Sequence, residues 1–372
     1  MLTFEYISRV FRIMKKILSL LACAAAVISC GTQKESLTVA NLEKLAPLDA
    51  SKKYEVRYGE IAPGGKLELE ANDIRKNTTL EAVMTFPGGF GGITIGRGDQ
   101  KHFYSYWIDV TATDFTVSYH EIGGPAKVIS TQSHGMDISS NLTVKIVYTD
   151  QSTADLILKS GKAARTFSVN WWGGGAPFVR NNGSSSANAR LTFIPYDQDK
   201  PVWIIGDSYI SWSAQNRWPY YLYTAGYKNW MADHTPGAGS AAQYAEFHND
   251  LKFGTPKYVI WAMGMNDGPD NADSPTDRWL VYVKKFIADC EERGIIPILT
   301  TTPSIPKHNH QQMCKWVRES GYRYIDFSAA VTENDALEWY PGYLSSDNIH
   351  PAAPGAKALA DQVLKDFPEI KD

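Results

Sequence analysis

The sequence predicts a multidomain chain, an N-terminal β-sandwich followed by a three-layer α/β/α domain built on a parallel sheet. Three observations carry this expectation. The chain has 372 residues, long for one domain at roughly 100 to 200 residues each. From Lys52 to about Pro195, apolar and polar residues alternate in short runs broken by turn residues, which is the period of half-buried strands. After Lys200 the runs become continuously apolar and alternate with amphipathic stretches, as in βαβ units whose sheet is covered on both faces.

Taken in order, the chain opens on an address. Lys15 and Lys16 precede an apolar run from Ile17 to Ile28, too short for the roughly 20 residues that span a bilayer but suited to a secretory signal. Val27, Ile28, Ser29 and Cys30 resemble the lipobox of bacterial lipoproteins. That resemblance implies a signal peptide over 1–29, lipid on Cys30 and a cell-envelope location; start at Met1 or at Met14 stays open. Residues 30–51 are polar with scattered Leu and Ala, as a tether would be. The sandwich is expected over 52–195, with Lys66–Glu70, Gly92–Gly96, Phe115–Tyr119, Leu142–Tyr148 and Arg190–Ile194 among its strands. It is similar in pattern to the concanavalin-A-like, lectin-type sandwich, which implies an accessory glycan-binding module. A short polar hinge spans Pro195 to Pro201.

The second domain occupies 200–372, with apolar strands at Val202–Ile205, Tyr258–Met263, Ile295–Thr300 and Tyr324–Phe327 and an amphipathic helix near Trp279–Arg293. A further strand is expected at Asn229–Asp233, and a final helix follows Pro351. In open α/β sheets, ligands bind beyond the carboxyl ends of strands. Gly206, Asp207 and Ser208 stand at such an end, as do Gly264 to Asp267, a glycine block at Gly237 and Gly239, and Asp347 to His350 before the last helix.

A serine hydroxyl needs a base at neutral pH, and an imidazole has a suitable pKa. A carboxylate three residues before that histidine can hold its tautomer, and a glycine lets backbone N–H groups approach a developing alkoxide. With G-D-S at Gly206–Ser208, G-M-N-D at Gly264–Asp267 and D-N-I-H at Asp347–His350, the region from about Lys200 onwards resembles the SGNH (GDSL-type) hydrolase family. The resemblance implies a flavodoxin-like α/β/α fold with Ser208 as nucleophile, His350 as base and Asp347 as its orienting group. It implies an oxyanion hole from the N–H groups of Ser208 and Gly239 and the amide of Asn266; Gly237 is the alternative glycine. Tyr209 replaces the family's frequent Leu, and His234 stands where an Asn is usual.

The expected function is a serine esterase removing O-acyl groups, acetyl foremost, from a carbohydrate. The alternatives are a lipase or thioesterase on acyl chains, and a non-catalytic glycan-binding lipoprotein. No metal or cofactor is implied: His308 and His310 lack a spaced ligand set and read as a solvated helix start. Asp207 and Asp267 read as loop-bracing acceptors, and Lys284, Lys285 and Arg293 as a solvated helix face. Trp171, Trp172, Trp212, Trp218, Tyr220 and Tyr221 are candidate sugar platforms as well as core candidates. With 37 Lys and Arg against 40 Asp and Glu, the formal charge of −3 offers nucleic acid no general attraction. Of four cysteines, Cys290 and Cys314 remain after the signal and lipid site are set aside. They are expected as small buried hydrophobes, with a disulfide left open.

Overall fold

The computed structural model describes residue 42 and residues 51–70, 77–98, 104–121, 124–150, 153–171, 175–210 and 214–372. The expected signal segment, Cys30, nearly all of the tether, Trp172 and Trp212 lie outside the described residues.

Two antiparallel six-stranded sheets form first. One contains β1 (Glu55–Ile61), β3 (Thr78–Thr85), β8 (Asn141–Asp150), β9 (Thr153–Ser160), β10 (Ala163–Asn170) and β12 (Ala187–Pro195), in the order β1-β12-β3-β8-β9-β10. The other contains β2 (Lys66–Glu68), β4 (Ile93–Arg97), β5 (Tyr104–Val110), β6 (Asp114–Glu121), β7 (Lys127–Ser133) and β11 (Pro177–Asn181), in the order β2-β11-β4-β5-β6-β7. Alternation decides the faces. Leu142, Val144, Ile146 and Tyr148 of β8 join Ile93, Ile95, Ile108, Val117 and Val179 of the opposite sheet in one buried core. Trp171 lies in that core, fully buried, so it is no sugar platform.

The chain then enters a five-stranded parallel sheet of β13 (Val202–Gly206), β14 (Trp230–His234), β15 (Tyr258–Ala262), β16 (Ile296–Thr300) and β17 (Arg323–Ile325), in the order β14-β13-β15-β16-β17. The helices are α1 (Trp218–Thr224), α2 (Ser240–Asp250), α3 (Asp277–Glu292), α4 (Gln311–Glu319), α5 (Phe327–Val331) and α6 (Ala353–Asp366). Successive residues of a strand point to opposite faces, and here both faces are covered. Val202 and Ile204 pack with Trp218 and Leu222 of α1 and Leu359 and Val363 of α6. Trp203 and Ile205 pack with Phe247 of α2, Val283 and Phe286 of α3, and Met313 of α4. Continuous apolar strands are the sequence mark of this double coverage. Trp218 is fully buried and belongs to the core.

Leu37–Asp372 forms one compact unit. The expected polar hinge is instead a braced corner. Gln198 is buried; its amide accepts from Lys53 N at 2.9 Å and donates to the carbonyls of Lys53 and Pro195 at 3.0 and 2.6 Å. Phe253, just past α2, is buried within the core shared by the two antiparallel sheets, with its ring 6.0 Å from that of Phe193. A polar stretch with an aromatic docked beside it has its hydrogen-bonding groups turned inward, which stiffens the turn.

Candidate active site

The order of the parallel sheet makes β13 the strand from which the chain leaves in both directions, to β14 on one side and β15 on the other. Ligand crevices form at the carboxyl end of such a strand, and Ser208 is there, opening a short 3-10 turn, Ser208–Ile210. The turn needs Gly206: a Cβ would lie 2.9 Å from Ile210 Cγ2 and 3.0 Å from the Ala262 carbonyl oxygen. Asp207 braces it, its Oδ1 accepting from Tyr209 N at 3.0 Å and its carbonyl from Ile210 N at 3.2 Å.

The loop before α6 approaches from the other end of the chain. Ser208 Oγ is 2.8 Å from His350 Nε2, and His350 Nδ1 is 2.7 Å from Asp347 Oδ2. A proton on Nδ1 satisfies both contacts, leaving Nε2 to accept from the serine hydroxyl. Asp347 also accepts from Ser345 Oγ and from the backbone N–H groups of Ile349 and His350, at 2.6, 2.8 and 2.9 Å. Partial burial pushes its carboxyl up, but these hydrogen bonds outweigh that push and hold it well below the usual carboxylate range. Asn348 takes a left-handed φ of 58°, which lets the chain fold back so that Asp347 meets the histidine three residues on.

In the sequence, Tyr209 is no more than a departure from Leu. In the structure its hydroxyl donates to the Ile349 carbonyl, and its ring centroid lies 5.8 Å from that of His350. The residue after Ser208 thus anchors the loop that carries His350. No local signal could have revealed a bond across 140 positions of sequence.

Asn266 follows β15. Its amide nitrogen donates to Asp207 Oδ2 at 2.9 Å and to the Ala238 carbonyl at 3.1 Å, so β13, β15 and the glycine block meet at this side chain. Gly264 permits the turn, with φ 141° and a position where a Cβ would lie 2.3 Å from Thr302 Oγ1. Gly239 caps α2 at φ −84°, an ordinary conformation, whereas Gly237 is left-handed at φ 77°. Glycine is required at 237 by conformation. At 239 a Cβ would come to 3.1 Å from Asp267 Oδ1. The N–H groups of Ser208 and Gly239 find no acceptor among the described residues. Asp267 braces the same corner, accepting from Ser240 N at 2.9 Å and Ser240 Oγ at 2.7 Å.

Burial sets the remaining charges. It lifts the fully buried Asp207 carboxyl to about 7, against the opposing hydrogen bond from Tyr209 N, and Asp267 adds to the rise. His234, at the end of β14 and level with Gly206 in the sheet, is pushed down to about 4 by burial and by the Arg217 charge. It is therefore neutral at physiological pH.

Other candidate residues fall elsewhere. His310 is fully buried, not solvated; its Nδ1 sits 3.0 Å from the Pro303 carbonyl oxygen, and burial lowers its pKa to about 4. The apolar core beneath α4 reaches up to the helix start and takes the ring inside. Among the described residues, no group of three or more His, Cys, Asp or Glu is gathered as a metal site requires. Cys290 and Cys314 are free and buried, with burial raising both thiols. Tyr221 donates to the Ala353 carbonyl at 3.0 Å; Tyr220 is half-buried. Lys284, Lys285 and Arg293 are exposed, as a solvated helix face is.

No family model matches the chain, and no curated protein does. Among solved structures, the chain is similar to a proposed lipolytic protein of the G-D-S-L family from Desulfitobacterium hafniense, at 21% identity and TM-score 0.38, over 45% of this chain and 100% of that one. A GDSL-like lipase from Bacteroides thetaiotaomicron is 16% identical with TM-score 0.37, over 47% and 91%. A Bacillus subtilis protein is 14% identical with TM-score 0.37, over 87% of this chain and 92% of its own.

Proposed function

We propose that the protein is a serine esterase that removes short acyl groups, acetyl foremost, from a carbohydrate. One observation carries the chemistry: Ser208, His350 and Asp347 form a hydrogen-bonded line of 2.8 and 2.7 Å at the carboxyl end of a parallel sheet. In this reading His350 Nε2 takes the Ser208 proton as Oγ attacks the ester carbonyl, and Asp347 stabilises the imidazolium that forms. The tetrahedral oxyanion is met by the N–H groups of Ser208 and Gly239 and by the Asn266 amide, which shares one of its present bonds. Collapse expels the alcohol, protonated by His350, and water repeats the sequence on the acyl-enzyme.

A small acyl group is supported by the loops that carry Ser208 and Asn266, which hold mostly polar and aromatic residues and no aliphatic run of the kind that lines a long acyl groove. This observation favours the acetylesterase reading over the lipase or thioesterase one. A carbohydrate substrate is supported by the outward face of the β2–β7 sheet. There Trp107 lies against His120, 3.9 Å between centroids with the ring planes tilted by 41°, has Phe178 edge-on at 5.9 Å, and carries the Arg180 guanidinium 5.6 Å above its ring. An indole held by these neighbours and partly open to solvent is a candidate platform for a sugar ring. Lipid on Cys30 and a cell-envelope location complete the proposal, motivated by Val27–Cys30; loss of fatty-acid labelling in Cys30→Ala tests them.

The test of the chemistry is esterase activity on 4-nitrophenyl acetate, butyrate and octanoate. Activity should decline with chain length, and Ser208→Ala and His350→Ala should each lower kcat by about 10⁴-fold or more, Asp347→Asn by less. A fluorophosphonate that labels Ser208→Ala as well as wild type would sink the assignment.

A further inference from the structure

Among the described residues, arginines that leave water are paired with carboxylates or, as Arg97 and Arg180 do, pack on aromatic rings. Arg190 lies 2.6 Å from Glu81, and Arg318 binds both Asp326 and Asp335, at 2.8 and 2.6 Å. Arg217 differs. It is half-buried and among the described residues forms no ion pair. Its one side-chain hydrogen bond runs from Nη1 to the carbonyl of its neighbour Asn216, at 2.9 Å. A guanidinium has five N–H donors in a planar fork, so most of this one faces no acceptor among the described residues. Leaving a partly desolvated cation without a partner is unfavourable, and such a group is available to a ligand.

Its place in the fold says which ligand. Arg217 is the cap residue of α1, its backbone N–H bonded to the Ala214 carbonyl at 3.0 Å. The next residue, Trp218, lines the same small cavity as Asp207 and Tyr209. Its charge is felt by Asp207, Tyr209, His234 and Asp347, groups gathered around the carboxyl ends of β13 and β14. Burial lowers the pKa of Arg217 itself, against the opposing pull of Tyr209, Asp207 and Asp347, and it remains a cation at every working pH.

We propose that Arg217 recognises an anionic group on the alcohol part of the substrate, and that the ester cleaved belongs to an acidic compound bearing a carboxylate, such as an acylated uronic acid. This rests on the serine-esterase reading above. A carboxylate fits better than a phosphate for two reasons. The fork of a guanidinium matches it in a bidentate contact, and a single negative charge is repelled less than a double one by Asp207 and Asp347 nearby.

The test compares two acetate esters that differ only in charge, 3-acetoxybenzoate and its methyl ester, with wild type, R217K and R217A. Wild type should favour the anionic ester by about tenfold or more in kcat/KM, as hydrogen bonds to charged groups allow. R217A should erase that preference mainly through KM, and R217K should keep part of it. Acetylated galacturonic acid against acetylated galactose should repeat the pattern. If R217A does not fold, R217Q is read in its place. Equal wild-type rates on the paired esters, or a loss in R217A of the same factor on both, would overturn the proposal and leave the esterase reading standing. Folded wild type that hydrolyses neither ester overturns the esterase reading itself.

Discussion

Asp207 ties the Ser208 turn to the amide of Asn266, with one carboxylate oxygen on Tyr209 N and the other on Asn266 Nδ2. Full burial brings its pKa to about 7, against about 3.9 in an unfolded chain. The native state therefore holds a proton between about pH 4 and 7 that the unfolded chain has released. Its contribution to stability is complete below about pH 4 and is lost as pH rises through about 7. Asp207→Asn keeps the shape and removes the titration. Relative to wild type, its unfolding free energy in urea should rise between pH 4 and pH 8 by at most about 4 kcal/mol. A flat difference across that range would show Asp207 to be ionised throughout. The variant should also lose activity, since an amide there must point its NH₂ at one of two donors and Asn266 loses its brace.

At the scale of the element, the connection after β15 does the aiming. Gly264 adopts φ 141° with Thr302 Oγ1 where a Cβ would stand. Thr302 is not free to withdraw, because its hydroxyl donates to the Met263 carbonyl at 3.1 Å, and Trp279 Nε1 donates to the same oxygen at 3.1 Å. Gly264→Ala should therefore cost on the order of 2 kcal/mol or more, from backbone strain and overpacking together. It should also lower kcat through Asn266, two residues on. The double change Gly264→Ala with Thr302→Ala should recover part of the stability, a coupling that thermal unfolding measures. Additive losses would mean that the two side chains do not meet.

Across the whole molecule, Phe253 leaves the parallel-sheet layers and completes the core between the two antiparallel sheets. Lys252 beside it pairs with Glu70 at 3.2 Å, and Lys52 with Asp199 at 3.1 Å. Exposed pairs of this kind contribute little, so the aromatic carries the joint. Phe253→Ala should cost about 3 to 5 kcal/mol and split the calorimetric transition into two. A single transition with an unchanged midpoint would show the contact to be incidental. A fragment from about Asp197 onwards should retain hydrolysis of small esters but be less soluble than the full chain, because it exposes this ring. Substituting Phe253 with Ser in the fragment should restore solubility.

The change of period at Lys200 and the positions of Ser208 and Asn266 were legible in sequence for one reason, whereas Asp347 and His350, which follow no strand, were marked by their spacing and motif. Each signal is local: strands buried on both faces read as apolar runs, and a loop residue just past such a run lies at the edge of the sheet where ligands bind. Alternation in the first half likewise declared which residues face inward. Local signals do not report contacts between distant positions, and there the tertiary structure decided. It buried Trp171 and Trp218, drew His310 inside, turned Gln198 inward to brace a corner expected to bend, and carried Tyr209 to the loop of His350. It also determined the charge state of Asp207, because desolvation depends on everything packed around a group and not on its neighbours in the chain. Arg217 looked like any polar residue before a helix. Only the folded arrangement, with carboxylates within electrostatic reach and none within bonding distance, set it apart.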